Sequence, residues 1–238
     1  MNKIYFTVLV PLVFILNSPV LGQLNTYVGI EVARANDLYK IEENGNSLMA
    51  VWLINRFGGI NIRQEISKKF FFEVGLIRKD YMQGFSFINI RLYSYQPSFK
   101  SWLIPVKLGY RIALTKQIFI TTNVGFTWSL NSDYPNRVIN GAIRSTPSYQ
   151  YSYTRNADVP RSFFLMHPSI GIERKLFNVL LLSIYGSRSF GFTNINQLDI
   201  NYTVNNSTPT TGKAISNGGF SSYGISLKYP ISKLWAKQ

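Results

Sequence analysis

Period two runs through much of this chain. In Ser101–Leu114 (SWLIPVKLGYRIAL), one face carries Trp102, Ile104, Val106, Leu108, Tyr110, Ile112 and Leu114, and the other carries Ser101, Leu103, Pro105, Lys107, Gly109, Arg111 and Ala113. In Ile118–Leu130 (IFITTNVGFTWSL), Ile118, Ile120, Thr122, Val124, Phe126, Trp128 and Leu130 alternate with Phe119, Thr121, Asn123, Gly125, Thr127 and Ser129. Such alternation is wrong for a helix. It also outruns the roughly 5–6 residues of a strand in a globular sheet. A strand that crosses a bilayer at a tilt needs about 9–11.

Six weaker segments follow the same rule: Thr26–Arg34, Phe57–Ile66, Phe70–Arg78, Phe163–Arg174, Val179–Ser189 and Gly219–Ile231. With the two above, they predict eight strands. The connections alternate in length. Short ones fall near Ser67–Lys69, Thr115–Gln117 and Lys175–Asn178; long, polar ones span Ala35–Arg56, Lys79–Lys100, Asn131–Ser162 and Phe190–Gly218. An even number of strands joined by short turns at one end and long loops at the other is the pattern of an outer-membrane barrel. Closure removes the sheet edges, which have no partners in lipid. The expected fold is therefore all-β, an eight-stranded antiparallel up-and-down transmembrane β-barrel.

If the apolar faces meet lipid, the opposite faces point inward. That places Glu31, Glu65, Glu73 and Glu173 inside, together with Arg63, Lys107, Arg111 and Lys228. An eight-stranded barrel is just wide enough for side chains to fill it, and buried charge is tolerated when it is paired. The balance of four acids and four bases predicts an interior charge network. Glu73 is the expected partner of Lys107 and Arg111, one strand away. A narrow pore lined by the same residues is the alternative.

Charge and composition fit an exported membrane protein. Charged residues make up only 15% of the chain, aromatics another 15%, and there is no Cys. The lack of Cys excludes a disulfide framework, a thiolate metal site and a thiol nucleophile. The opening MNKIYFTVLVPLVFILNSPVLGQ has Lys3, an apolar run from Ile4 to Leu16, and Val20 and Gly22 at small-residue positions before a cut. It reads as a signal peptide over residues 1–22, leaving one barrel domain over 23–238.

The net charge of +14 is spread along the chain rather than gathered in one patch, so no nucleic-acid partner is expected. Basic charge on an exported protein also suits anionic lipid head groups; the expected contacts are outer-membrane lipid and lipopolysaccharide. Lys68, Lys69, Lys116, Arg174 and Lys175 gather at the short turns, and Lys233 and Lys237 near the C-terminus. Tyr27, Phe70, Phe72, Trp102, Trp128, Phe164, Tyr229 and Trp235 fall near strand ends, as an interfacial aromatic belt requires.

Candidate chemistry is sparse. The only histidine, His167, shares a predicted face with Ser169 and Glu173. A His–Ser–carboxylate set on a barrel wall would suit a lipid-modifying enzyme, but residues two apart on one strand lie about 7 Å from each other. Asp37, Glu42 and Glu43 in the first long loop are the one acidic group suited to a weakly held cation. No phosphate-binding loop or metalloprotease motif is present. The expectation is no catalytic, metal-binding or cofactor-binding residue.

One stretch carries a family likeness. Trp102, Pro105, Lys107, Gly109 and Tyr110, in SWLIPVKLGYRIA, resemble the corresponding strand of the PorT-like outer-membrane barrels of Bacteroidetes. The resemblance implies an eight-stranded barrel in the outer membrane of a Gram-negative cell, with no catalytic residues. Some members of that family assist type IX protein secretion. The functional expectation is a non-enzymatic accessory of an envelope or secretion complex, or a binder acting through its outer loops. A small porin-like solute pore and a lipid-modifying enzyme using His167 are the alternatives.

Overall fold

The structure is a computed structural model that describes residues 25–51, 53–88, 92–131, 138–143, 149–156, 160–177 and 179–231. The expected signal peptide, Trp235, Lys233 and Lys237 lie outside the described residues. The strands are β1 (Thr26–Asp37), β2 (Lys40–Glu43), β3 (Leu48–Ala50), β4 (Ile54–Glu65), β5 (Phe70–Phe87), β6 (Leu92–Ala113), β7 (Ile118–Asn131) and β8 (Val138–Ile143). They continue as β9 (Tyr149–Asn156), β10 (Ser162–Met166), β11 (Ser169–Leu176), β12 (Leu180–Gly191), β13 (Asn196–Val204), β14 (Thr210–Ser216) and β15 (Phe220–Pro230).

Antiparallel pairing runs β1–β4–β5–β6–β7, passes to β10 and β11, then to β12 and β15, and returns from β15 to β1. The ring has eight strands, because β10 and β11 are one barrel strand. Met166 pairs with Phe126 and Ser169 with Asn123, so the register on β7 does not change across the gap. Pro168 causes the gap, since it has no N–H for the ladder; its carbonyl still accepts from Arg188 N at 3.1 Å. All eight expected strands are present, and they form the all-β, eight-stranded antiparallel up-and-down barrel.

Two of the short turns share one chemistry. Ser67 Oγ accepts from Lys69 N and Phe70 N at 3.2 and 3.0 Å. Thr115 Oγ1 accepts from Gln117 N and Ile118 N at 3.2 and 3.0 Å. A hydroxyl that bonds the backbone two and three residues on stabilises a tight turn, which accounts for the recurrence of Ser-Lys-Lys-Phe and Thr-Lys-Gln-Ile. The third turn is different: Phe177 takes a positive φ of 49° and Val179 N bonds Leu176 O.

The long connections differ from the expected loops. β5 and β6 run 18 and 22 residues, well beyond the about 9–11 that a bilayer needs, so their hairpin rises past the barrel rim. Segments of the other three connections form a separate five-stranded sheet, β2–β14–β13–β9–β8. This cap has its own core of Leu48, Phe85, Phe87, Tyr149, Tyr153, Leu198, Ile200, Tyr202 and Ala214. The outer barrel face carries exposed Val28, Ile30, Val32, Val124, Phe126, Ile172 and Ile184, the apolar band that a lipid-facing wall requires. Of the expected aromatic belt, Phe70, Trp102, Phe164 and Tyr229 are exposed, whereas Tyr27 is buried and faces the lumen. Val28 takes the outward position beside it, so Tyr27 does not belong to the belt.

Candidate functional site: a charged lumen below a capped mouth

The lower half of the lumen, toward the short turns, is ionic. Arg63 on β4 pairs with Glu73 on β5 in the ladder, and Nε donates to Oε2 at 3.0 Å. Its Nη1 donates to Glu173 Oε2 on β11, four strands away in a ring of eight. One guanidinium therefore ties opposite walls together. Glu73 also draws Lys228 Nζ to 3.3 Å and Lys107 Nζ to 4.0 Å. Arg111 pairs with Glu65 and Glu173, each at 2.9 Å. The expected pairing of Arg111 with Glu73 is not formed, because Arg111 lies closer to the short-turn end, level with Glu65. Glu31 accepts from Asn61 Nδ2 at 3.2 Å and has no cation within 4.0 Å among the described residues. Phe71 stacks under Arg63 at 3.9 Å, and Gly109 makes room for it: a Cβ there would lie 2.2 Å from the Phe71 ring.

The upper half is apolar and aromatic. Ala33, Ala35, Phe57, Ile77, Tyr81, Phe99, Leu103, Phe163, Leu165, Ile195 and Phe220 form one buried cluster drawn from β1, β4, β5, β6, β10 and β15 and from the connection that carries Ile195. Tyr81 stacks on Phe99 at 4.6 Å and meets Phe163 edge-on at 6.0 Å. Within this layer sits a buried ion pair that the strand boundaries read from sequence left out. Lys79 Nζ donates to Asp37 Oδ1 at 2.5 Å, with both side chains 0% exposed. Asp37 also accepts from Asn55 Nδ2 at 2.7 Å and Met82 N at 2.8 Å. The register shift between Tyr81 and Met82 frees that N–H from the ladder. Asp37 continues the inward positions Glu31, Ala33 and Ala35, and Lys79 continues Glu73, Gly75 and Ile77. Both lay one to three residues past the expected strand ends.

Asp37 is thus not part of a cation site in a loop. Glu42 is taken by Lys40 at 2.7 Å, and Glu43 accepts from Leu48 N and from the Tyr202 hydroxyl, both at 2.5 Å. Burial and the Glu43 carboxylate push the Tyr202 phenol up to about 12, and the Lys40 ammonium holds Glu42 below the usual carboxylate range. No group of three or more metal-ligating side chains occurs among the described residues.

His167 is buried between the two layers. Its Nδ1 lies 3.0 Å from Ser189 Oγ on β12 and 3.5 Å from Thr127 Oγ1, and its ring meets Phe220 at 5.9 Å. Ser169 instead accepts from Asn123 Nδ2 at 3.0 Å, and Glu173 is held by Arg63, Arg111 and Ser183. The alternative of a His167–Ser169–Glu173 set is therefore dispersed. The Ser189–His167 pair that does form is buried and has no carboxylate behind it among the described residues.

The family-like stretch occupies five distinct roles. Trp102 is outside, 5.1 Å under the Arg78 guanidinium. Pro105 faces inward against Gly75, where a Cβ would sit 3.1 Å from the Pro105 ring. Lys107 joins the ionic layer, Gly109 admits Phe71, and Tyr110 packs outside on Phe70 at 5.0 Å.

No family model and no curated protein matches the sequence. Among solved structures, the chain is similar to outer membrane protein OprG of Pseudomonas aeruginosa, at 10% identity over 87% of this chain and 96% of that one, with a TM-score of 0.50. It is also similar to the N-terminal β-barrel domain of P. aeruginosa OprF, at 8% identity over 87% and 100% of the two chains, with a TM-score of 0.40. At such identities the likeness concerns the fold, and the match to OprG carries it: the chain has the architecture of the small outer-membrane barrels.

Proposed function

We propose that the protein is a sealed, non-enzymatic outer-membrane barrel that anchors an extracellular β-cap, and that the cap serves an envelope or secretion complex. The carrying observation is the filled lumen, an ionic layer below and an aromatic layer above, crossed by the Arg63 tie from β4 to β11. A barrel built this way holds a platform in place; it offers no path for solute, and the enclosed His167 offers no access to a substrate. Residues 1–22 act as the export signal, and the short turns face the periplasm. Membership of the PorT-like barrels rests on Trp102, Pro105, Lys107, Gly109 and Tyr110, and an accessory role in type IX-like secretion follows from that membership.

Photo-crosslinking residues at exposed cap positions Asn201 and Thr211, with Lys116 on a short turn as the counterpart, test this in the native envelope. Cap positions are expected to link one and the same envelope protein. Links made only from Lys116 would place the working end on the periplasmic side. No link from either end would leave the complex without support.

A further inference from the structure

Most inner charges of this barrel are paired with an opposite charge; three outer arginines on neighbouring strands are not. Arg34 and Arg56 are exposed and Arg78 is half-buried, all on the outward face toward the cap end of the barrel. The ladder sets Arg34 directly opposite Arg56 on one side and opposite Tyr223 on the other. Arg78 pairs with Gly58, two residues from Arg56 on the same face. Arg188 stands apart: Ser221 Oγ accepts from its Nη1 at 2.5 Å, and its strand β12 is four strands from β5 in the ring of eight. None of Arg34, Arg56 and Arg78 has a carboxylate within 4.0 Å among the described residues. Asp80, two residues on from Arg78, continues the β4–β5 register to the position opposite Arg56 and is the one acid on this stretch of rim among the described residues. Like charges directly opposite on a sheet destabilise it, and a single carboxylate leaves the three arginines short of negative charge.

Their position says which anion. Toward the short turns, the same strands present Ile30, Val32, Ile60 and Leu76, so the arginines stand where the lipid-facing band ends. Arg34, Arg56 and Arg78 stand on three adjacent strands, β1–β4–β5, a width of roughly 10 Å at the usual strand spacing. A single phosphate covers only part of that. Guanidinium groups bind phosphate in bidentate fashion, and a ligand with two phosphates on one sugar framework can engage several at once. On the far side of the barrel the same rim is aromatic, with Trp128 stacked on Phe164 at 6.2 Å.

We infer that Arg34, Arg56 and Arg78 form a docking face for a diphosphorylated glycolipid of the outer leaflet, the lipid A moiety of lipopolysaccharide. The inference rests on the outer-membrane reading, with the cap outward. Lipid A sits with its acyl chains along the apolar stripe and its phosphates on the arginines, and it supplies the missing charge.

The test titrates diphosphoryl lipid A, and separately phosphatidylglycerol, into the folded full-length protein in zwitterionic detergent. Tryptophan fluorescence reports binding, since Trp102 lies beneath Arg78. Wild type is expected to bind lipid A about tenfold or more tightly than phosphatidylglycerol, and Arg34→Gln/Arg56→Gln/Arg78→Gln to lose about tenfold or more. Lys68→Gln/Lys69→Gln/Lys116→Gln, at the other end, is expected to bind as wild type. Equal binding of phosphatidylglycerol, an unaffected arginine variant, or an equal loss in the lysine variant would each overturn the docking face. If the triple arginine variant does not fold, Arg56→Gln alone is held to the same comparison. Heat-modifiable gel migration separates the two levels: wild type without a folded barrel refutes the outer-membrane reading, whereas a folded barrel indifferent to lipid A refutes the docking face alone.

Discussion

Arg63 and Glu73 face each other across the β4–β5 ladder, with Nε and Oε2 3.0 Å apart, while the other arm of Arg63 reaches Glu173 on the opposite wall. The pair is a local sheet contact and a brace across the lumen at once. Breaking a buried ion pair by removing one partner costs about 3–5 kcal/mol, because the remaining charge stays in a low-dielectric site. Arg63→Ala removes the contact that joins Glu73 to Glu173 and leaves Glu73 to Lys228 and Lys107 and Glu173 to Arg111, so it is expected to lower the urea midpoint of the barrel in detergent. Arg63→Ala combined with Glu173→Ala is expected to recover about 0.5–3 kcal/mol relative to the sum of the single losses. Strict additivity would mean that the brace across the lumen does not form.

Lys79 and Asp37 make a second, isolated pair in the aromatic layer. Lys79→Ala leaves Asp37 with Asn55 and the Met82 N–H, whereas Asp37→Ala leaves Lys79 with only the Tyr81 and Phe220 rings and the Asp80 carbonyl. Both are expected to destabilise by about 3–5 kcal/mol, with Asp37→Ala the worse. Equilibrium unfolding of the two variants decides the order; the reverse order would show that Asp37 depends on Lys79 more than on its neutral donors.

The Tyr202–Glu43 hydrogen bond gives the cap a defined alkaline limit. The phenol is raised to about 12 in the folded cap, against about 10 in an unfolded chain. A raised folded value means the contribution is complete below about pH 10 and is lost as pH rises through about 12. In the difference between wild-type and Tyr202→Phe tyrosinate titrations, one phenol is expected to appear near pH 12. Its appearance near 10 would mean that Tyr202 stands free of Glu43.

Export predicts a mature chain beginning at Gln23. Intact mass spectrometry of the membrane form is expected to show loss of Met1–Gly22. A mass that retains those residues would contradict the signal peptide.

The alternation of single residues made the barrel wall legible. On Ser101–Leu114 every second side chain is apolar, and those side chains face outward. Where the wall continues past the bilayer, the reading stopped too soon. Gly84 and the polar residues around it looked like a loop, although Tyr81, Phe85 and Phe87 keep the same face as Lys79. Asn196, Leu198, Ile200 and Tyr202 alternate inward on β13 in the same manner, but the surrounding Asn, Thr and Ser gave the segment the composition of a loop. Composition masked periodicity there, because an exposed cap sheet needs apolar residues on one face only. The diametric Arg63–Glu173 contact was beyond the pattern, since alternation says which residues share the lumen and nothing about which meet across it.

Planar-bilayer recording of the purified, folded full-length barrel tests the sealed lumen most directly. The filled interior predicts an electrically silent membrane for wild type. It also predicts conductance in a variant that opens both layers, Arg63→Ala with Tyr81→Ala and Phe99→Ala, provided that variant still folds. Stable single-channel currents from the wild-type protein would contradict the account and identify the barrel as a pore.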